Sequence, residues 1–450
     1  MSKDAHNHHV EESYRRYNEA LKLIPGGVQL LSRRPQLYAP GVTPPYVSHG
    51  KGCHIWDLDE NEYVDWMMSV GALILGHADD EVDNAVIEQI RRGTAFSVSH
   101  PVELELAQEL VETIPCAEMV RYCKGGGEAN AIAVRIARGF TGRDKVLFCG
   151  YHGWHDWYLA ANLADDDVLS SHLLPNITPR GIPQGLKGTA LPFRYNDLDS
   201  LETALNANEG KVACIIMEAS RGASQPAPGF LEGVRELATA HGIVLIFDEV
   251  VTGFRLAMGG AQEAFGVVPD LATYAKAISN GYAMGAVVGR KEVMSVAGEM
   301  FISSTYWSDT VGATAALSTI RAMKRRNAMA HISTVGERLQ AQFNQSAAAH
   351  GVPLKAVGRP QQVAITYTDD APDECKKQIK DYFVQEMTYR GFFTSFGFNP
   401  SYAHDDAAIA ATAAAWDEVL SLTADALRQH DWAQRLHGEG SVALFKRLVG

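Results

Sequence analysis

Four short stretches hold side chains that could do chemistry together. Lys124-Gly125-Gly126-Gly127-Glu128-Ala129 sets three glycines at the start of a predicted helix whose apolar face is Ala129, Ile132, Ala133 and Ile136. The free N–H groups and dipole of such a start suit a phosphate, although a tight turn that merely needs small residues reads the same way. Leu245-Ile246-Phe247-Asp248-Glu249-Val250 is a buried-type strand ending in two carboxylates, where open α/β sheets bind ligands. The plainer alternative is an Asp that caps the next element or pairs with Arg255. Lys276, within Ala272–Gly281, has almost no charged neighbours in sequence. A desolvated amine able to attack a carbonyl competes there with a stem that crosses apolar surface to reach water. Finally, Tyr151-His152-Gly153-Trp154-His155-Asp156-Trp157 follows a predicted strand and reads as an aromatic ligand platform or as a packed aromatic loop. His152 and His155 lack a third ligand, so no metal is expected.

Taken in chain order, a phosphate-suited helix start, an aromatic loop, a strand-end Asp and an apolar lysine serve one cofactor, pyridoxal 5′-phosphate. Its aldehyde takes a lysine Schiff base, its pyridine nitrogen needs a carboxylate to stay protonated, and its ring and phosphate need a stacking face and N–H donors.

The elements that must position these residues follow from periodicity. Val10, Tyr14, Tyr17, Leu21 and Ile24 recur at helical steps, predicting a helix over Val10–Leu23 that Pro25-Gly26-Gly27 ends. Cys53–Asp57 and Glu62–Trp66 alternate like a hairpin around Asp59-Glu60-Asn61. From there the pattern becomes helix, strand, helix, strand: Lys145–Cys149, Val212–Met217 and Ile243–Phe247 are short apolar runs, and Asp80–Arg92, Pro101–Ile114, Glu128–Arg138, Gly233–His241 and Thr310–Arg326 are helical. That alternation predicts a mostly parallel sheet between helices, an α/β fold. The last segment has its own helices, among them the alanine-rich Ala407–Ala415, and a strand near Gln361–Tyr367. Expected boundaries are 1–76 for the N-terminal helix, arm and small-domain strands, 77–328 for the large domain and 329–450 for the C-terminal small domain.

The chain has 450 residues, enough for a large and a smaller domain, and 46% of them are apolar, which suits a globular core. Its formal charge of −13 repels nucleic acid and anionic membranes. Arg15-Arg16, Arg33-Arg34, Lys324-Arg325-Arg326 and Lys376-Lys377 are too short to reverse that field, so neither partner is expected. The six cysteines show no CxxC spacing and read as reduced core residues. With no apolar run of membrane-spanning length and a polar start at Met1–His6, a cytoplasmic location is expected.

From about Tyr17 to Leu420 the sequence resembles the class III aminotransferases of the fold type I pyridoxal-phosphate superfamily, in the glutamate-1-semialdehyde aminomutase-like branch. Besides the four sites, the resemblance rests on Ile24-Pro25-Gly26-Gly27-Val28, Leu73-Ile74-Leu75-Gly76-His77, Pro228-Gly229-Phe230-Leu231 and Ser303-Ser304-Thr305-Tyr306-Trp307. It implies a large domain with a mostly parallel sheet and a smaller α+β domain built from both termini. By position it implies that Lys276 forms the internal aldimine and shuttles the proton, that Asp248 pairs with the pyridinium nitrogen and that Tyr151 lies against the ring. Gly126 and Gly127 match the phosphate loop, with His152 as a further phosphate contact, and Glu218 matches an acidic position near the cofactor. Thr305 matches a residue that reaches the phosphate of the neighbouring subunit, which implies a homodimer with shared active sites. Arg33 aligns with an arginine that holds a substrate carboxylate.

Two departures stand out. The family loop usually carries serine or threonine hydroxyls, and Gly125-Gly126-Gly127 has none; Ala219 stands where a proline commonly follows the acidic residue. The implied activity is amino transfer between a small-molecule amino donor and a carbonyl acceptor. A 2,1-aminomutase, a racemase and a catalytically silent relative are the alternatives, and a Gly-x-Ser-x-Gly hydrolase elbow is absent from the chain.

Overall fold

The computed structural model describes residues 8–164, 168–172, 177–437 and 440–441, so the polar start at Met1–His6 lies outside the described residues. Two compact units are formed, one from Asp80–Met329 and a smaller one from Met1–Asp79 with Ala330–Gly450.

In the smaller unit the Glu11–Leu23 helix precedes strands β1 (Val47–Lys51), β2 (His54–Asp57) and β3 (Glu62–Asp65), which pair antiparallel in turn. The expected hairpin is therefore present, with Asp57 Oδ1 accepting the N–H groups of Asp59 and Asn61 at 2.9 Å in the turn. After β3 the chain makes a left-handed turn, with φ of 44° at Met68, 51° at Ser69, 58° at Val70 and 80° at Gly71. A β-branched residue is strained in that region. Asp65 fixes the entry, its Oδ1 accepting from Met67 N at 2.8 Å and Met68 N at 3.0 Å.

In the larger unit seven strands, β4 (Met119–Cys123), β5 (Lys145–Cys149), β6 (Ala190–Pro192), β7 (Val212–Met217), β8 (Val244–Asp248), β9 (Leu271–Tyr274) and β10 (Gly285–Gly289), form one sheet in the order β4-β10-β9-β8-β7-β5-β6. The run β6-β5-β7-β8-β9 is parallel, and β10 lies antiparallel to both β9 and β4. Every side chain of β7 and β8 is buried, as a parallel sheet covered on both faces requires. Strand alternation sorts them: Val146, Phe148, Ile216 and Ile246 pack with Ala129, Ile132, Ala133 and Ile136 of the Gly126–Thr141 helix. Leu147, Ile215, Leu245 and Phe247 pack with Leu201, Leu205, Val234 and Ala238 of the Leu198–Asn206 and Phe230–Ala240 helices. This is the α/β architecture the alternation predicts.

The smaller unit is completed by the Ala328–His350, Lys376–Tyr389 and Asp406–Gln429 helices, an antiparallel β11 (Leu354–Arg359), β12 (Gln362–Tyr367) and β14 (Gly397–Phe398), and β13 (Phe392–Phe393), which pairs parallel to β3. In its core the ring of Trp66 stacks on His404 at 3.8 Å and its indole N–H donates to Thr412 Oγ1 at 3.1 Å.

Candidate active site

Four side chains gather at the carboxyl ends of the parallel strands, where an α/β sheet binds its ligands. Asp248 is the last residue of β8, Glu218 follows β7 directly, Tyr151 stands two residues past β5 and Lys276 two past β9. They line a cavity of about 280 Å³ together with Gly126 and Gly127.

Asp248 is 4% exposed and fully bonded. Its Oδ2 accepts from Asn130 Nδ2 at 2.7 Å and His152 Nδ1 at 2.8 Å, and its Oδ1 from Val250 N at 3.1 Å. Asn130 is fixed in turn, because its Oδ1 accepts from Thr273 Oγ1 at 2.6 Å. A buried carboxylate with this many donors cannot swing. Strand alternation sends its neighbour Glu249 elsewhere: that carboxylate accepts from Ala261 N at 2.8 Å and Gln262 N at 3.0 Å and caps the short Ala261–Phe265 helix. Of the two adjacent acids only Asp248 belongs to the cavity.

Lys276 has a φ of 50° at the sharp exit from β9 and makes no hydrogen bond or ion pair among the described residues. Burial pushes its amine below the ordinary lysine range; the negative charges of Asp248 and Glu218 oppose that shift and Arg255 adds to it. An amine so shifted is unprotonated more often than an ordinary lysine and is the better nucleophile. Burial, then the charge of Asp248, holds the Glu218 carboxyl above its usual range, while Glu218 Oε2 accepts the Tyr151 N–H at 3.0 Å. Tyr151 itself is 46% exposed and forms part of the cavity wall.

At the opposite end the Gly126–Thr141 helix starts two residues earlier than its apolar pattern predicts, so that Gly126 and Gly127 lie within its first turn. A Cβ on Gly126 would stand 2.7 Å from Val250 Cγ1, which explains a glycine there. The N–H groups of Gly126 and Gly127 have no acceptor among the described residues. An unpaired, half-buried amine sharing a cavity with a fixed carboxylate, with a helix start carrying free N–H groups beside them, fits a phosphorylated aldehyde whose ring nitrogen bears a proton.

Two expected contacts are arranged differently. His152, expected at the phosphate, is fully buried behind Asp248 and does not line the cavity, because its Nδ1 is committed to that carboxylate and its ring packs among Phe148, Trp157 and Tyr158. Thr305 is exposed on a turn outside its own chain's cavity. Arg33 lies in the smaller unit, lining a separate cavity of about 470 Å³ with Tyr38, Asp65, Val70, His77 and Phe393. Of the other two nearby phenylalanines, Phe398 is in the core and Phe396 packs against it. Sequence reasoning missed Asn130, whose signal was a polar residue beside Ala129 on the buried side of the helix.

The family model for aminotransferase class III matches residues 37–410. The chain belongs to the class III aminotransferases. It is thus an enzyme of amino-group transfer, and pyridoxal phosphate is its cofactor. This class III aminotransferase is 39% identical over 413 residues to the 3-aminobutyryl-CoA aminotransferase of Cloacimonas acidaminovorans (strain Evry), covering 90% of the chain and 95% of the relative. It is 36% identical over 437 residues to the glutamate-1-semialdehyde 2,1-aminomutase of Roseiflexus castenholzii (strain DSM 13941 / HLO8), with 93% and 98% covered. Among solved structures it resembles the PLP internal aldimine form of the Sphingopyxis sp. MTA144 FumI protein, at 25% identity and a TM-score of 0.85, with 96% and 99% covered.

Proposed function

We propose that this enzyme moves an amino group from a small amino donor to a carbonyl acceptor through Lys276. The observation that carries the reading is the unpaired, half-buried Lys276 amine in one cavity with the triply bonded Asp248. Bound pyridoxal 5′-phosphate supplies an aldehyde for amine exchange and a ring that accepts the electron pair left when a C–H bond breaks. Lys276 Nζ would be the amine that holds this group and, when free, the base that takes a proton from the substrate carbon and returns it one position away. Asp248 keeps the ring nitrogen protonated, and Asn130 and His152 hold the carboxylate still while charge develops. Tyr151 walls the ring from water, and the first turn of the Gly126–Thr141 helix binds the phosphate.

Arg33 takes a substrate carboxylate. Removing a charge-assisted contact should raise KM for carboxylated substrates about tenfold in Arg33→Ala, and an unchanged KM would remove it from the site. Two copies share their sites, with Thr305 of the partner subunit at the phosphate. In support, the Thr305 turn is flanked by Phe301 and Tyr306, 84% and 68% exposed, a surface suited to a second copy; light scattering at twice the chain mass is expected. No helix among the described residues is long and apolar enough to cross a membrane. The six buried, unpaired cysteines support a reducing compartment such as the cytoplasm.

The rival is a 2,1-aminomutase, favoured by the aminomutase relative and by core residues that serve both reactions. The deciding experiment is an absorption spectrum with pyridoxal phosphate, borohydride trapping mapped to Lys276, and bleaching by a panel of donors that starts with 3-aminobutyryl-CoA, the compound in the other relative's name. Donor bleaching reversed by a separate oxo acid supports the aminotransferase. Conversion of a single substrate with no acceptor supports the aminomutase, and no trapped lysine sinks both.

A further inference from the structure

The helix start beside the cavity has free N–H groups but no hydroxyl, and its N-cap Gly125 makes no side-chain capping bond. The space a side chain at position 127 would use is nevertheless filled. A Cβ built on Gly127 would lie 3.2 Å from Nδ1 and 3.3 Å from Cε1 of His155. This approach depends on Gly153, where a Cβ would stand 2.7 Å from the Cα of Gly127, so a bare residue in each segment lets the 151–155 loop settle on the helix start. The imidazole is held from behind by Trp154, stacked at 4.6 Å, and its carbonyl accepts from Tyr158 N at 3.0 Å. Nδ1 of His155 is buried yet has no hydrogen-bond partner, an arrangement that costs stability unless a ligand completes it. Lys124, which lines the cavity, is drawn toward Asp309 by an ion pair.

We infer that His155 replaces the missing loop hydroxyl, donating from Nδ1–H to a phosphate oxygen of the bound cofactor. The inference rests on the proposed pyridoxal-phosphate reading and deepens it: the loop between β5 and the Asp156–Leu159 turn, not the glycine loop itself, carries the side-chain contact to the phosphate. A neutral imidazole has one N–H to offer, and a phosphate oxygen at the helix start selects the tautomer with that proton on Nδ1.

The test compares two probes on the cofactor-free protein by absorbance titration: pyridoxal phosphate, and pyridoxal, which lacks the phosphate. His155→Ala should weaken pyridoxal phosphate about tenfold and leave pyridoxal within about twofold. His155→Asn, which retains an N–H donor, should keep most of the affinity. In the His155→Ala background, Gly127→Thr should restore it, because the vacated space now admits the hydroxyl; Gly127→Thr alone should not tighten binding, the imidazole being in the way. Equal losses for both probes, or no loss for either, would overturn the inference. Wild-type protein that fails to trap pyridoxal phosphate on Lys276 would instead overturn the underlying reading, so the two failures are distinguishable.

Discussion

At one end of the cavity Asp248 closes a strand whose side chains are all buried, and its two oxygens receive bonds from Asn130, His152 and the Val250 N–H. At the other, Gly125, Gly126 and Gly127 offer backbone alone. The contrast follows from what each end must do. A buried charge that sets the electronics of a ring has to be immobile, and here Asn130 is itself fixed by Thr273 while His152 is held by the packing of its ring. A phosphate is anchored by many weak contacts, and a helix start supplies most of them without side chains, leaving affinity free to be tuned by neighbours.

Variants at the braced end should fail hardest. Lys276→Ala should lower turnover about 10⁴-fold and abolish borohydride trapping, since nucleophile and proton carrier disappear together. Asp248→Asn keeps the shape but not the charge, and kcat should fall about a hundredfold or more with cofactor affinity changed far less. If affinity instead fell as much as kcat, the separation of roles between the ends would be wrong. The bare end should respond in the opposite sense. Nothing stands within 4 Å of a Cβ on Gly125, so Gly125→Ser is expected to tighten pyridoxal phosphate a few-fold and to leave kcat at saturation unchanged, as a titration would show. The smallest effect concerns Glu218. Its carboxyl sits above the ordinary range because of burial and then Asp248, so the fold favours the protonated acid. Below the unfolded value of 4.5 both states are neutral and nothing is lost; as pH rises through and above the folded value the buried charge costs stability. Glu218→Gln should therefore raise the Tm of cofactor-free protein more at pH 8 than at pH 4.5, and a pH-independent difference would count against that account.

Much of this layout is legible in the sequence because the relevant signals are local. Lys276 stands out by its apolar neighbours, Asp248 by ending an apolar run, and Gly126 and Gly127 by opening a helix. What fails is whatever depends on contact across the sheet. His152 is adjacent to Tyr151 in sequence, yet its imidazole is buried against Asp248 while Tyr151 stays exposed at the cavity wall. Asn130 lies among alanines on a helix and only acquires meaning from Thr273, three strands away from the loop it supports. The left-handed turn at Met68–Gly71 has no signature beyond one glycine, since Asp65 and the packing of Met68, not residue preference, impose it.

The paired, in-register run of β8 and β9 sets Asp248 opposite Thr273, three residues before Lys276. The separation between the carboxylate and the amine is consequently a property of the hydrogen-bonded ladder, about 4.8 Å per strand, and not of the loop and short helix that join the two strands. Beyond Val250 and Val251, which hold Asp248 and line the cavity, changes in the connecting residues leave the strand-to-strand spacing as the ladder sets it.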